Sequence, residues 1–268
     1  MSYDEETIIK LCAERGDVCK KLQGLMEKHI IQSESLSCTN TSEYIKYGIG
    51  RRLSILKHSL NTIFDVFSPT AKFPLETNDR NTAEVALHAF VINIYGLFDN
   101  WAWAFLKRHK IDLSPRDVGM FSKKTKIHFP SKIKSYLESD KIKRWYNEYL
   151  KNYRDAVAHR IPLYIPPFYS SPSDGLRYNE LEREMLESLK ANNLQRCEEI
   201  EREQEALTKP CFAFLHSFSE GQSLKPVSLH PQLICDAMTV LEFGEIFLKN
   251  WHERAIVPPK ETLSDWEI

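Results

Sequence analysis

The chain has 268 residues, of which 42% are hydrophobic and 27% charged, and its formal net charge is −1. This composition excludes an intrinsically disordered chain and a small disulfide-stapled scaffold, because there is enough apolar material for a large core. Nine glycines stand against 14 Phe, 11 Tyr and 5 Trp. Long segments with apolar residues at helical spacing favour helix over sheet.

In chain order, residues 4–31 predict a first amphipathic helix, and residues 44–67 a second one that stops at Ser68-Pro69. Gly48-Ile49-Gly50 lies in the second helix without the strand and the further glycine of a dinucleotide loop. We interpret it as a loose helix start or a packing feature. A third helix is expected to begin within residues 77–82 and to continue to about residue 109.

The third helix is apolar on most of its circumference, which predicts that it is central. Its polar residues His88, Asn93, Asp99 and Asn100 are costly in lipid, so residues 86–106 are interpreted as a core helix and not as a membrane span. Asp99 and Asn100 need partners inside such a core. Either they make structural hydrogen bonds or they belong to a site.

Residues 131–160 predict a further helix with a break near residues 139–140, which ends because Ile161 precedes Pro162. Residues 163–169 are apolar and rich in proline, which favours an extended strap against the helices and beside any site. A long charged helix is expected over residues 178–207, and a β-hairpin over residues 211–229. The inward stripe of the 131–160 helix is expected to comprise Ile142, Trp145, Tyr149, Tyr153 and Val157.

With a last helix over residues 230–251, these elements predict an all-α fold, a multi-helix bundle with a small β-hairpin insertion near residues 211–229. A single domain is expected, with a core of about residues 44–162 and 230–252. Residues 174–229 would then be an insertion.

Two features bear on the cellular setting. The acidic residues 1–6 lack the basic flank and apolar run of a signal peptide, which indicates a cytoplasmic protein. The cysteines form no CxxC pair and no zinc-finger spacing, so they are interpreted as reduced packing residues. They are Cys12, Cys19, Cys38, Cys197, Cys211 and Cys235.

Charge is uneven along the chain. Residues 107–160 hold fifteen Lys or Arg against six Asp or Glu, a net of +9, whereas residues 174–206 hold ten acids against five bases, a net of −5. A positive surface suits a polyanionic substrate. The alternative is that these lysines only solvate a loop and a helix face.

The basic region leads to Arg154 and His159, five residues apart at the predicted end of a helix. A permanently charged guanidinium and an imidazole that titrates near neutral pH suit phosphate-ester chemistry. On an ideal helix the two side chains point about 140° apart. Asp155 is four residues before His159 and is expected to orient the imidazole. The alternative is an ordinary surface pair of Asp155 with His159 and a plain ion pair of Arg154.

The run Arg154-Asp155-Ala156-Val157-Ala158-His159 resembles the Arg-(Asn/His/Asp)-x3-His signature of ribonucleases in the HEPN superfamily, whose domains are all-helical. The resemblance covers the motif and its setting, about residues 81–162, which is under half of the chain. It is moderately specific, since three of the six positions are free. Asp155 stands where many members have Asn, which makes the site less positive.

The resemblance implies a metal-independent endoribonuclease without cofactor, which acts on RNA as a homodimer through its motif helices and leaves a 2′,3′-cyclic phosphate. It implies that His159 is the general acid or base, that Arg154 binds the scissile phosphate and that Asp155 is auxiliary. Lys151, Asn152 and Arg160 are the expected substrate-binding residues. A toxin or defence role, with an antitoxin or other protein partner, would fit this family.

Two other classes compete with this reading. A non-catalytic HEPN domain would bind RNA or a nucleotide through the same surface, or act as a helical scaffold for a partner. A metal-dependent enzyme that works through Asp and Glu has no support in the carboxylate spacing.

Overall fold

The computed structural model describes residues 3–36, 38–216 and 225–253. In these ranges the chain is predominantly helical, with one two-stranded antiparallel sheet, which confirms the predicted all-α, multi-helix class. The elements are α1 Glu5–Glu34, α2 Thr39–Glu43, π1 Tyr44–Gly50, α3 Arg51–Val66, α4 Thr77–Arg108, α5 Lys123–Lys126, α6 Ser131–Glu138, α7 Asp140–Arg144, π2 Trp145–Leu150, α8 Lys151–His159, α9 Pro172–Lys190, α10 Leu194–Leu207, β1 Ala213–His216, β2 Lys225–Ser228 and α11 Leu229–Asn250.

Helix α4 is the central helix, as its apolar circumference predicts. Its inward side chains are almost fully buried, and α3 packs along it, with α1 and α11 completing the core. The most buried of them are Phe90, Ile94, Leu97, Phe98, Trp101 and Phe105. In the part of the chain that the structure describes, no helix has both the length and the hydropathy needed to cross a bilayer.

Two π-helical segments interrupt the predicted helices 44–67 and 131–160. In π1, a Cβ on Gly48 would lie 2.8 Å from Oδ1 of Asn100, so glycine lets this segment approach α4 closely. This confirms a packing role for Gly48. The expected break in the second helix is also confirmed, because Ser139 is extended, with φ −64° and ψ 145°. Segments of π-helix are rare and often occur at functional sites.

The predicted single helix over residues 178–207 is wrong. Two antiparallel helices, α9 and α10, occupy this region and pack mainly against each other. The chain turns at Asn192, whose φ of 55° is left-handed, a conformation that Asn tolerates better than most residues. The side chain of Asn193 then caps α10 by accepting a hydrogen bond from the amide of Arg196.

The strap and the hairpin lie beside each other. Strand β1 pairs with β2, with Ala213 opposite Ser228, and the connection between the strands lies outside the described residues. Tyr164 in the strap forms an isolated bridge with Leu215 in β1. The strap is also tied to α4, because Nε2 of His88 donates to the carbonyl of Leu163 at 2.6 Å. The prediction of an extended strap against the helices is confirmed.

The cysteines correspond only partly to the prediction. All six are free, and Cys197 is a buried packing residue. The packing interpretation is wrong for Cys12, Cys38 and Cys235, which are exposed.

Candidate functional site

Helix α8, which carries the predicted motif, ends a helical rod made of α7, π2 and α8. Trp145 begins π2, and its indole N–H donates to Oδ1 of the buried Asp236 at 2.7 Å. Gln232 donates to the same oxygen at 2.8 Å. Burial raises the pKa of Asp236 to about 7, although both hydrogen bonds act in the opposite direction. A buried polar contact therefore fastens the rod to α11.

A second support comes from strand β1. Tyr153 of α8 is buried, and its ring meets those of Phe214 and His216 edge-on, with centroids 5.3 and 5.2 Å away. Edge-to-face contacts of this kind hold aromatic rings in defined orientations. The helix that carries the motif is thus held by the hairpin as well as by α11. Of the predicted inward stripe, Ile142, Trp145 and Tyr153 are buried, and Tyr149 and Val157 are half-buried.

Arg154 lies half-buried against α4. Its guanidinium carbon is 4.2 Å from the centroid of the Tyr95 ring, which is a cation–π contact. One terminal nitrogen, Nη1, is 3.0 Å from Oδ1 of Asp155, and the two side chains are 26% and 18% exposed. The Nε atom is buried and has no hydrogen-bond partner in the described part of the chain. The guanidinium is therefore oriented by an aromatic face and a carboxylate, and part of it still reaches solvent.

His159 is the last residue of α8 and is exposed. The structure does not form the contact between Asp155 and His159 that the sequence predicts. Asp155 pairs with its neighbour Arg154 instead, and within the described ranges no hydrogen bond or ion pair reaches His159. The physical reason is that the adjacent guanidinium of Arg154 carries a permanent charge and makes a strong charge-assisted bond to the Asp155 carboxylate.

The expected substrate-binding residues are divided between solvent and helix. Lys151 and Arg160 are exposed on α8 and at its C-terminal cap. The amide nitrogen of Asn152 donates to the carbonyls of Asn147 and Glu148, at 2.7 and 3.2 Å. These carbonyls belong to π2, so the amide of Asn152 stabilises the π segment and is not free to donate to a substrate.

A second group of charges lies beside Arg154, on α3 and α4. A Cβ on Gly96 would lie 2.5 Å from the guanidinium carbon of Arg52, so glycine allows Arg52 to lie directly on α4. Arg52 donates to Oδ1 of Asn93 at 3.0 Å. Asp99 interacts electrostatically with both Arg154 and Arg52. Three helices therefore bring two guanidinium groups and one carboxyl group together, and we call Arg52, Asp99 and Arg154 the central charge cluster.

Asp99 is the unusual member of this cluster. Burial raises its pKa to about 6, although a hydrogen bond from the backbone of Met120 and the charges of Arg154 and Arg52 lower it. The sequence left open whether Asp99 serves packing or a site, and the structure places it beside the arginine of the motif. A carboxyl group with a strongly perturbed pKa next to specific charge partners is a common feature of functional sites.

Two tyrosines complete the surroundings of Arg154. Tyr146 of π2 stacks on Phe121, with ring centroids 3.8 Å apart, and its hydroxyl is 3.5 Å from that of Tyr95. Burial raises the pKa of Tyr146 above its ordinary value, and Tyr95 adds to this. Sequence analysis missed Arg52, Tyr95 and Tyr146. The only signal that indicated this region was the polar interruption of α4 at Asp99 and Asn100.

The arrangement offers a positively charged group for an anion and, at the helix end, an exposed imidazole that can accept or donate a proton. Within the described ranges, no group of three or more His, Cys, Asp or Glu side chains is placed to hold a metal ion. Comparisons with protein-family models, with curated proteins and with solved structures found no match.

Proposed function

We propose that this protein is a HEPN-type endoribonuclease that cleaves RNA without a metal ion. The observation that carries the proposal is the arrangement at the end of α8, where a half-buried Arg154 that still reaches solvent and an exposed His159 lie five residues apart in a predominantly helical fold. The resemblance of residues 154–159 to the HEPN signature supplies the reaction. The net charge of +9 over residues 107–160 supports a polyanionic substrate.

In this reaction the ribose 2′-oxygen attacks the adjacent phosphorus, and the bond to the 5′-oxygen of the next nucleotide breaks. His159 takes the proton of the 2′-hydroxyl or gives one to the leaving oxygen, and Arg154 binds the non-bridging oxygens as their charge grows. The products are a 2′,3′-cyclic phosphate and a 5′-hydroxyl. DNA lacks the internal nucleophile and should remain intact.

The proposal includes a homodimer in which two motif helices face one cleft. Arg154 and His159 are five residues apart, so on one helix their side chains diverge by about 140°. A second copy would place an imidazole and a guanidinium on both sides of one phosphate. Exposed apolar side chains support such a contact, because Ile161 just beyond the motif is 65% exposed and Val85 on α4 is 69% exposed.

The second candidate is a non-catalytic domain that binds RNA or a nucleotide, or that acts as a scaffold. The ion pair between Arg154 and Asp155 favours it, because a guanidinium engaged by a carboxylate is less available to a phosphate. The two candidates differ in one respect. A nuclease must release or share this ion pair when RNA binds, whereas a scaffold retains it.

The deciding experiment incubates the purified protein with structured RNA and with DNA of the same sequence, in excess EDTA, and analyses the fragment ends. We expect cleavage of RNA alone, cyclic phosphate at the 3′ ends, and a loss of at least about 100-fold in the His159→Ala variant. His58→Ala is the matched control, because His58 is an exposed histidine on α3 and should keep full activity.

Three outcomes would change the conclusion. Intact RNA together with measurable binding would favour the non-catalytic candidate. Equal cleavage by the wild type and by His159→Ala would indicate a contaminating nuclease or a different site. A monomer in light scattering that still cleaves RNA would remove the dimer from the proposal.

A further inference from the structure

Cys38 is exposed at the edge of a cavity of about 480 Å³ near the C-terminal ends of α4 and α11. The residue precedes the first turn of α2 in an extended conformation, and its side chain makes no capping hydrogen bond. The cavity is lined by Ser35, Leu36, Cys38, Thr41, Arg108, His109 and His252. Apart from Leu36, these side chains are polar, charged or thiol-bearing, which is an unusual setting for a cysteine that only packs.

Thr41 is the second observation at this cavity. The residue is 0% exposed, and its hydroxyl oxygen is buried without a hydrogen-bond partner in the described part of the chain. A buried hydroxyl with no partner is costly, unless a ligand or a charged neighbour uses it. The hydroxyl of Thr41 lowers the pKa of the Cys38 thiol, and the backbone amide of Thr41 lowers it further by a smaller amount. The Thr41 hydroxyl belongs to the lining of the same cavity as the Cys38 thiol, and in the described part of the chain no other group is bonded to it, so it can donate to a Cys38 thiolate.

The opposite wall of the cavity carries positive charge. The guanidinium carbon of Arg108 is 4.4 Å from the centroid of the Trp251 ring, and Nη2 donates to Nδ1 of His252 at 3.0 Å. Burial, with a contribution from Arg108, lowers the pKa of both His109 and His252, so these imidazoles are mainly neutral at neutral pH. The permanent charge comes from Arg108. It would attract an anionic group into the cavity.

We propose that Cys38 is a thiol-modification site that forms mixed disulfides with small anionic disulfides. The thiolate of Cys38 attacks one sulfur of the incoming disulfide, a new sulfur–sulfur bond forms, and the original one breaks. The proton of the Cys38 thiol has passed to water before the attack, and the second half of the reagent leaves as a thiolate. The incoming disulfide is the oxidant, and Arg108 binds its anionic group.

Cys12 and Cys235 provide internal controls in the same molecule, since both are exposed. Cys235 lines a different cavity, where partial burial and then the nearby Asp236 raise the pKa of its thiol. If accessibility alone set the rate of reaction with a disulfide, the three thiols would react at similar rates. If the cavity activates Cys38, this thiol should react fastest.

The experiment treats the reduced full-length protein with limiting dithiobis(nitrobenzoate), a dianionic disulfide, and quantifies each modified cysteine by peptide mass spectrometry. We expect Cys38 to react at least about tenfold faster than Cys12 or Cys235 at neutral pH. Neutral dithiodipyridine should show a smaller preference, and high salt should reduce the preference for the anionic reagent. A Cys38 rate no higher than that of Cys12 would overturn the proposal.

The Thr41→Val variant tests the mechanism. Valine keeps the shape of threonine and removes a hydroxyl that has no conventional partner, so the fold should tolerate it. We expect the rate at Cys38 to fall toward that of Cys12, while the rate at Cys12 stays unchanged. An unchanged Cys38 rate in a folded variant, as judged by circular dichroism, would refute activation by this site.

Discussion

Two arginine-rich regions of this protein are built in opposite ways. In the α9–α10 hairpin, Arg177 and Arg196 each contact three glutamates on exposed helix faces, at 2.8 to 3.4 Å. In the central charge cluster, Arg52 and Arg154 lie half-buried on α4 beside Asp99. In the α9–α10 hairpin, the arginines are neutralised by a surplus of solvent-exposed carboxylates. In the central charge cluster, the arginines have fewer carboxylate partners, and Arg154 also lies on the ring of Tyr95.

The difference shows in the carboxyl groups. In the hairpin, a hydrogen bond from Arg196 lowers the pKa of both Glu184 and Glu203, as expected for exposed ion pairs. In the cluster, burial dominates and raises the pKa of Asp99 to about 6 despite two neighbouring guanidinium groups. Charge in the α9–α10 hairpin is thus satisfied locally, whereas the proposed function requires charge in the central charge cluster to be available for an external anion.

The largest effect is expected from substitution of Arg154 in the central charge cluster. Arg154→Ala should reduce RNA cleavage by about 100-fold or more, because in the proposed mechanism this side chain stabilises the charge that grows on the phosphate. Arg154→Lys should recover only part of the loss, since an ammonium cannot form the planar two-point contact of a guanidinium. Initial rates with a fluorescent RNA substrate measure both. An Arg154→Ala enzyme with normal rates would show that the cluster is structural, like the hairpin.

The next effect is on stability and concerns Asp236, which fastens the rod of α7, π2 and α8 to α11. The pKa of Asp236 is raised from 3.8 to about 7, so the neutral carboxyl is favoured in the folded state. Its stabilising contribution is complete below the unfolded value and is lost as pH rises through about 7. The free energy of unfolding should therefore fall between about pH 4 and pH 8, by an amount on the order of 1–4 kcal/mol.

Asp236→Asn keeps an oxygen acceptor for Trp145 and Gln232 but cannot ionise. Urea denaturation across this pH range should give a flatter curve for the variant, which becomes more stable than the wild type at high pH. Equal slopes for both proteins would show that Asp236 does not titrate as its burial implies.

Much of the fold follows from local sequence patterns. Periodicity located α1, α3, α4 and α11 to within a few residues, and the break near residue 139 was visible as Ser139-Asp140. The π segments could not be predicted, because one widened turn hardly changes an apolar pattern of period 3.6. The turn at Asn192 was missed for a similar reason, since charged residues continue on both sides of it.

The candidate site was predictable only where it is local in sequence. Arg154 and His159 stand in one motif, but the proximity of Arg52 depends on the space at Gly96, which becomes apparent only when α3 lies on α4. The partner of Asp155 was predicted incorrectly because i, i+4 spacing does not rank competing partners. The adjacent guanidinium has a permanent charge, and it takes the carboxylate.

A smaller effect tests the titration of Asp99. Above a pH of about 6, the ionised carboxylate reduces the positive charge of the cluster, so RNA affinity should decrease as pH rises through this value. In Asp99→Asn this decrease should be smaller. The difference should be at most about fivefold, because one unit charge at about 4 Å is worth about 1 kcal/mol in water.

Fluorescence anisotropy of His159→Ala and of His159→Ala/Asp99→Asn gives this difference without cleavage of the RNA. Identical pH profiles for the two variants would place RNA away from the cluster.

The smallest effect is expected in the α9–α10 hairpin. Arg177→Ala removes contacts with Glu180, Glu184 and Glu203, but exposed ion pairs contribute little and are screened by salt. We expect RNA cleavage within about twofold of the wild type, since the residue lies among neutralising carboxylates. Thermal unfolding in low and high salt should show a small difference that disappears in high salt. A loss of cleavage as large as that of Arg154→Ala would mean that the hairpin itself contributes to the RNA site, and that local neutralisation does not separate structural from functional arginines in this protein.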